Sequence, residues 1–397
     1  MSLTLQVDGR RWTQHLSRVQ STFAGLVPVI KGNGYGFGQH LAAHHAARLG
    51  VDVIAVGVVP ETADAARSFP GRLLLLEPWD PGYSDDPRRL PAADRLILTA
   101  SRPDAVRALA RLAADGARIR VVLEGLTSMR RFGLTARELA DVLADPTVGA
   151  AIADGQLEVA GLSLHLPLAQ PDIRNVAVLG DDGVPDATGR VREVIGWAHD
   201  WARACRALAA GPASGGANPS PSVWVSHLEA DEAGAVRALV ADVDLRHRIG
   251  TRLWLGDRAA YAPRSTVLAV HDLAPGTRVG YRQRRVPRRS RVLVVAGGTA
   301  HGIALTAPSA ASTVRQRVVT AGTGALDATG RALSPFTVGG KRLWFAEPPH
   351  AQVSMLWLPE SVPRPAVGHS VDVEVRMTTA RFDQVVVTEP DDSAPPP

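Results

Sequence analysis

The sequence predicts an α/β protein, with an N-terminal (β/α)8 barrel of the TIM type over residues 1–253 and a C-terminal mainly-β domain over residues 254–388. Three observations carry this expectation. Through the first two-thirds of the chain, short β-branched or leucine-rich runs alternate with alanine- and arginine-rich stretches of helical period, the mark of repeated βα units. Eight such runs occur, the number that closes a barrel. Beyond about Trp254 the pattern changes to apolar segments separated by Gly and Pro, as in a smaller β domain.

Taken in order, the barrel strands fall at Val27 to Lys31, Asp52 to Gly57, Arg72 to Glu77, Arg95 to Thr99, Ile119 to Glu124, Leu157 to His165, Val223 to His227 and Leu245 to Ile249. Between them, Gln39 to Leu49, Glu61 to Ser68, Arg102 to Ala114, Ala136 to Ala144 and Val191 to Ala210 have the period of an outer ring of helices. The stretch from Gly211 to Ser222, rich in Gly, Pro and Ser, reads as a flexible surface insertion. In the β domain the strands are expected at Ser265 to Ala269, Arg291 to Val295, Arg315 to Thr320, Val353 to Leu358 and Ser370 to Val375. The tail, 389–397, reads as disordered.

Composition narrows the function. At 45% apolar and 21% charged, the chain has enough apolar content for a sizeable core, which excludes whole-chain disorder. The apolar run from Arg72 to Glu77 is far shorter than the ~20 residues of a membrane span, and no signal-type core opens the chain, so a cytoplasmic enzyme is expected. The single cysteine, Cys205, has no partner for an intramolecular disulfide or a cysteine-based metal site. The net charge of +5 gathers in the basic run 282–291, which lacks interleaved aromatics. It reads as a solvated hairpin loop, and neither nucleic acid nor membrane is expected as a partner.

The most informative residue is Lys31, which ends the first apolar run and is followed at once by the glycine-rich segment Gly32 to Gly38. A strand-end lysine that loses part of its solvation becomes a usable amine nucleophile, and the glycines let backbone approach a bulky ligand. The alternative is a lysine that simply reaches solvent.

Lys31-Gly-Asn33-Gly-Tyr35-Gly36 resembles the cofactor-lysine motif of the alanine racemase family, whose members carry Lys-x-Asn-x-Tyr-Gly after an apolar strand and bind pyridoxal 5'-phosphate (PLP, the fold type III class) on the lysine. The resemblance implies that Lys31 holds PLP and that Tyr35 touches its phosphate. Pro275-Gly-Thr-Arg-Val-Gly-Tyr281 is similar to the family's Pro-Gly-x-x-Val-x-Tyr, which makes Tyr281 the second base opposite Lys31. Glu158 to His165 resembles the strand whose histidine lies against the pyridine ring, and His165 is the match. His247-Arg248-Ile-Gly250-Thr251 resembles the Arg-x-Gly segment. There Arg248 would face the pyridine nitrogen and disfavour its protonation, limiting side reactions such as transamination, while the backbone after it, at Gly250 and Thr251, would bind phosphate. Met129 to Gly133 is similar to the Met-x-Arg-x-Gly turn, so Arg131 would hold the substrate carboxylate. Glu124, where many members have a carbamylated lysine, would supply the anion that orients Arg131, or would be a strand-end carboxylate in solvent.

This chain departs from the family pattern at four places. Asp231, in an acidic segment after the seventh strand, stands near where the family has a phosphate-binding serine, and Phe382 replaces a phosphate-touching tyrosine. At the substrate access Thr299 replaces a bulky tyrosine and His301 replaces an aspartate, which leaves open a side chain larger than methyl or a loss of turnover. No metal is expected from His301 and His350, which lack carboxylates at ligand spacing. The resemblance therefore implies an amino-acid racemase, most simply of alanine, working as a homodimer with shared active sites. A PLP-binding protein without turnover, a related decarboxylase and a basic nucleic-acid binder are the alternatives.

Overall fold

The computed structural model describes residues 2–170, 188–210, 218–240, 243–305 and 332–388. Residues 211–217 of the expected insertion, the strand expected at Arg315 to Thr320 and the tail 389–397 lie outside them. The chain opens with β1 (Leu3–Asp8) and α1 (Gly9–Thr22), and the Asp8 carboxylate accepts the Arg11 N–H at 3.0 Å to start the helix.

Eight parallel strands then follow: β2 (Leu26–Pro28), β3 (Val53–Val56), β4 (Arg72–Pro78), β5 (Leu96–Ala100), β6 (Ile119–Gly125), β7 (Leu157–His165), β8 (Val223–Ser226) and β9 (Leu245–Ile249). Their order is β2-β9-β8-β7-β6-β5-β4-β3, and a parallel bridge from Val29 to Ala55 joins the two ends, closing the barrel. Every residue of β3 and β5 is buried, as strands covered on both faces must be, and this is why they read as continuous apolar runs. Val27, Val29, Val53, Ala55, Leu74, Ile97, Val122 and Trp224 pack into one cluster within this unit.

The helices of the unit are α2 (Gln39–Arg48), α3 (Thr62–Ser68), α4 (Pro103–Ala114), α5 (Ala136–Leu143), α6 (Pro146–Ala153), α7 (Gly189–Ala209), α8 (Ala230–Leu239) and the short α9 (Thr251–Leu255). Thr135 and Glu138 form a reciprocal capping box at the start of α5. Asp145 then caps α6 and Pro146 occupies its first turn, so two helices stand between β6 and β7 where the periodicity showed one.

The remaining strands are β10 (Tyr261–Leu273), β11 (Arg278–Val279), β12 (Arg284–Arg285), β13 (Ser290–Ala296), β14 (Leu333–Val338), β15 (Lys341–Phe345), β16 (Val353–Trp357), β17 (Ser370–Val373) and β18 (Gln384–Thr388). One sheet runs β13-β16-β15-β14-β17-β10-β1-β18, and a further pairing of β10 with β13 closes six of these strands into a ring around Val267, Leu293, Phe336 and Leu356. By their contacts, residues 1–14, 35–37 and 257–397 form this unit, and residues 15–34 and 38–256 form the barrel unit. The first strand belongs to the β unit because it pairs antiparallel with β10 and parallel with β18.

Two core histidines couple the stability of the fold to pH. His247 on β9 is 2% exposed, its Nε2 lies 2.8 Å from the Arg237 guanidinium, and its ring meets Phe23 edge-on. An arginine only donates, so Nε2 accepts and the ring is neutral. Burial, then Arg237, lowers the His247 pKa to about 4, and burial lowers that of His45 in α2 to about 4 as well. Between those values and the ordinary histidine value the unfolded chain binds more protons, so stability falls with falling pH. Going from pH ~6.5 to pH ~5, each histidine is expected to remove about 2 kcal/mol. Urea midpoints at the two pH values check this, and a His247→Phe variant should flatten the dependence.

Candidate active site

The barrel strands deliver most of the expected residues to one mouth. Register places Glu124 beside Ser163, His165 beside Ser226, and Ser226 beside Arg248, all at the C-terminal ends of β6 to β9. On the other side of β9, the chain after β2 stays paired on both flanks: the Val29 N–H reaches the Ile249 carbonyl (2.9 Å) and the Ile30 N–H reaches that of Ala55 (2.8 Å). Lys31 is the first residue to leave the barrel wall. Catalytic groups in barrels of this kind sit at this end.

Lys31 is clamped from below by a residue that sequence reasoning passed over. Glu61 accepts the backbone N–H of Gly32 (2.7 Å) with Oε1 and that of Gly57 (2.6 Å) with Oε2, fixing the turns that flank the lysine. A Cβ at Gly57 would lie 3.0 Å from the Lys31 Cβ, so the two turns approach closely. Although the Lys31 side chain is open to solvent, its pKa is lowered by desolvation first, then by Arg131 and Arg248, with Glu61 opposing.

Glu124 is 3% exposed, which rules out a carboxylate in bulk solvent. Desolvation raises its pKa, while Arg248 and Arg131 pull it back. Its Oε2 has no hydrogen-bond partner, and no ion pair joins it to Arg131, whose guanidinium lies over the Phe132 ring at 5.3 Å. Arg248 donates through Nη2 to the Leu164 carbonyl (2.7 Å), and its Nε is unpartnered. Desolvation lowers its pKa to about 10, with Glu124 opposing, so it stays cationic at neutral pH. The result is a cluster with positive excess and three buried polar atoms lacking partners, the third being Oγ of Ser163 beside Glu124.

His165 Nδ1 lies 2.9 Å from Ser226 Oγ, and its ring meets that of His227 edge-on at 5.2 Å. Burial, then Arg248 and Arg131, lower the pKa of His165 to about 2, and burial, then Arg248 and Lys31, lower that of His227 to about 4. Both imidazoles are therefore neutral at pH 7. His227 holds a φ of 62°, a conformation a non-glycine residue rarely adopts, at the turn leaving β8. Neither Ser226 nor His227 carried a sequence signal beyond its place at a strand end.

The acidic segment after β8 is arranged differently from expectation. Asp231 is exposed; the buried acid is Glu232, 4% exposed in its side chain. Its carboxylate accepts from Arg190 (3.1 and 3.2 Å), Thr188 (2.8 Å), Gln170 (2.7 Å) and the Glu229 N–H (2.9 Å). Burial opposes ionisation, but these donors together hold the Glu232 carboxyl below its ordinary value. Its charge is spent on Arg190, and so it does not repel a neighbouring anion as an isolated carboxylate would. Gly250 precedes α9, with Thr251 as the first residue of that helix.

The other expected residues belong to the β unit. Tyr35, with a φ of 58°, is 7% exposed. Next to it, a Cβ on Gly36 would meet the Met377 methyl at 2.7 Å and the Phe382 ring at 3.3 Å, so only glycine fits there. Phe382 packs against the apolar core of this unit. Tyr281 sits in the hairpin of β11 and β12, 82% exposed, and the basic run 282–291 includes β12 of this ribbon. Thr299 is exposed, whereas His301 is buried, with Nδ1 accepting the Gly298 N–H (3.2 Å) and Nε2 lying 3.1 Å from Asp383 Oδ1. His301 thus ties two loops together. Among the described residues no group of three or more His, Cys, Asp or Glu could hold a metal, and no helix is long and apolar enough to cross a membrane.

The sequence pattern described as alanine racemase, N-terminal domain, matches residues 7–215, just over half of the 397 residues. Comparison with curated proteins finds no match. Among solved structures, the chain is similar to an alanine racemase from Bartonella henselae with covalently bound pyridoxal phosphate, at 14% identity and a TM-score of 0.63, covering 98% of this chain and 100% of that one. It is also similar to an alanine racemase from Bacillus anthracis with bound L-Ala-P (16%, TM-score 0.62, covering 97% and 87%). A third likeness is to that of D-cycloserine-producing Streptomyces lavendulae (18%, TM-score 0.61, covering 98% and 98%). At these identities the structural likeness speaks to the fold.

Proposed function

The chain belongs to the alanine racemase family, and from that premise we propose that it is a PLP-dependent amino-acid racemase, most simply interconverting L- and D-alanine. The observation that carries this reading is the amine of Lys31, its pKa lowered beside Arg131 and Arg248, at the open end of the barrel. The residues present fit the cofactor: a nucleophilic amine, a positive excess for an anionic ligand, and an Arg248 Nε–H without a protein partner. PLP, when bound, supplies the electron sink that acidifies the α-proton.

The chain supplies the rest. Lys31 would hold the cofactor through Nζ and afterwards serve as base on one face of the substrate. Arg248 would face the pyridine nitrogen, where a permanent cation keeps a proton off that atom. The backbone at Gly250 and Thr251, together with the Tyr35 hydroxyl, would take the phosphate. Arg131 would pair with the substrate carboxylate, and Glu124, whose Oε2 is free, would supply the anion that orients Arg131. The neutral ring of His165 would lie against the cofactor. On the opposite face the phenol oxygen of Tyr281 would be the second base, in a homodimer where each Tyr281 serves the other subunit's site.

The exposed Thr299 favours testing side chains larger than methyl, and the diversion of the β8–α8 turn to the Glu232–Arg190 pair favours testing for weak cofactor binding or no turnover. Chiral analysis of the PLP-loaded protein with a panel of L-amino acids decides among these. D-alanine alone supports an alanine racemase, a bulkier preferred substrate implicates Thr299, and no D-product with any substrate contradicts the racemase reading.

A further inference from the structure

Tyr281 is an exposed aromatic residue on a two-stranded ribbon, a place where a side chain gains little from burial and would be expected to move. It is nevertheless held at two points. Gly280 takes a φ of 72°, and a Cβ there would lie 2.0 Å from Glu347 Oε2, so the carboxylate rests directly against the glycine backbone. From that position Glu347 Oε2 accepts the backbone N–H of Tyr281 at 2.9 Å. The other oxygen, Oε1, lies 2.6 Å from His350 Nε2. An ionised carboxylate only accepts, so that imidazole nitrogen carries a proton. The His350 ring in turn packs on the Tyr281 ring, with centroids 4.4 Å apart and planes 41° apart.

His350 is itself anchored: its N–H reaches the Val353 carbonyl (2.9 Å), and its carbonyl accepts the N–H of Thr299 (2.9 Å). We propose that Glu347 and His350 are positioning residues for Tyr281, one fixing its backbone and the other its ring, and that through His350 they tie the tyrosine to the access residue Thr299. The inference rests on Tyr281 being the second base. A base must be held within a fraction of an ångström of its proton, and a freely turning phenol on a ribbon would not be.

The chain has only four tyrosines, so 13C-labelled tyrosine spectra of the cofactor-free protein are simple, and Tyr281→Phe assigns the signal. The Tyr281 ring resonance is expected to be displaced by the His350 ring; His350→Ala should remove the displacement, and Glu347→Gln should weaken it. In the PLP-loaded enzyme both variants should lower kcat about 10- to 100-fold with KM nearly unchanged. They should also raise the primary isotope effect for the α-deuterated enantiomer whose proton Tyr281 takes, leaving that of the other enantiomer alone. Wild-type spectra, kcat and isotope effects in both variants, with Tyr281→Phe inactive, would overturn the positioning role. Full racemisation by Tyr281→Phe would instead overturn the base assignment beneath it.

Discussion

Lys31→Ala is expected to abolish covalent cofactor attachment and to reduce racemisation by at least the ~10²- to 10⁴-fold that a positioned base contributes, with the lost nucleophile adding to that. The test is unusually clean, because Lys31 and Lys341 are the only lysines in the chain. Lys341 stands at the start of β15, not among the barrel strands, and binds the Ser361 hydroxyl at 3.1 Å. Borohydride reduction of the PLP-loaded protein followed by peptide mapping should place the adduct on the peptide containing Lys31 and none on Lys341. Adduct on Lys341, or an undiminished adduct in Lys31→Ala, would sink the assignment.

The second large effect concerns stability. Arg190→Leu should destabilise the fold by about 3–5 kcal/mol, because it leaves the Glu232 carboxylate buried without its cation. Glu232→Gln should cost less, since the amide oxygen still accepts from Thr188 and the Arg190 guanidinium keeps its bond to the Leu168 carbonyl (2.7 Å). Guanidinium unfolding midpoints of the two variants check this ordering. If both variants matched the parent protein, the Arg190–Glu232 pair could not be the element that organises the turn after β8.

Where side-chain period and strand burial agree, the fold is plain in the sequence. The run Arg72 to Glu77 appears as β4 one residue longer, and Ala136 to Ala144 as α5 one residue shorter. The first run is different: the strand itself ends at Pro28, which has no N–H to donate, although pairing continues through Val29 and Ile30. β1 went unread because its partners are β10 and β18, more than 250 residues away, and such distant pairing leaves no local signal.

The site divides in the same manner. Lys31, His165 and Arg248 stand out in the sequence because they lie at or near the ends of apolar runs inside short motifs, and the register of β7 to β9 then brings His165 and Arg248 to the same end of the barrel. Glu61, Ser226, His227 and Arg190 were not, because what each does depends on which backbone amide or carboxylate the fold brings to it. Glu61 reads in sequence as the first residue of a helix, and only the closeness of the Gly32 and Gly57 turns makes it a clamp. Asp231 and Glu232 are adjacent and chemically alike; burial of one and exposure of the other decides which needs an arginine.

If two bases act on opposite faces of one amino-acid Cα, α-proton exchange in deuterated water, followed by chiral analysis, will show it in the PLP-loaded protein. D-product carrying solvent deuterium at Cα is expected from the parent protein and from neither Lys31→Ala nor Tyr281→Phe. A protein that binds PLP on Lys31 yet leaves the α-proton of every L-amino acid in the panel unexchanged would contradict the two-base reading.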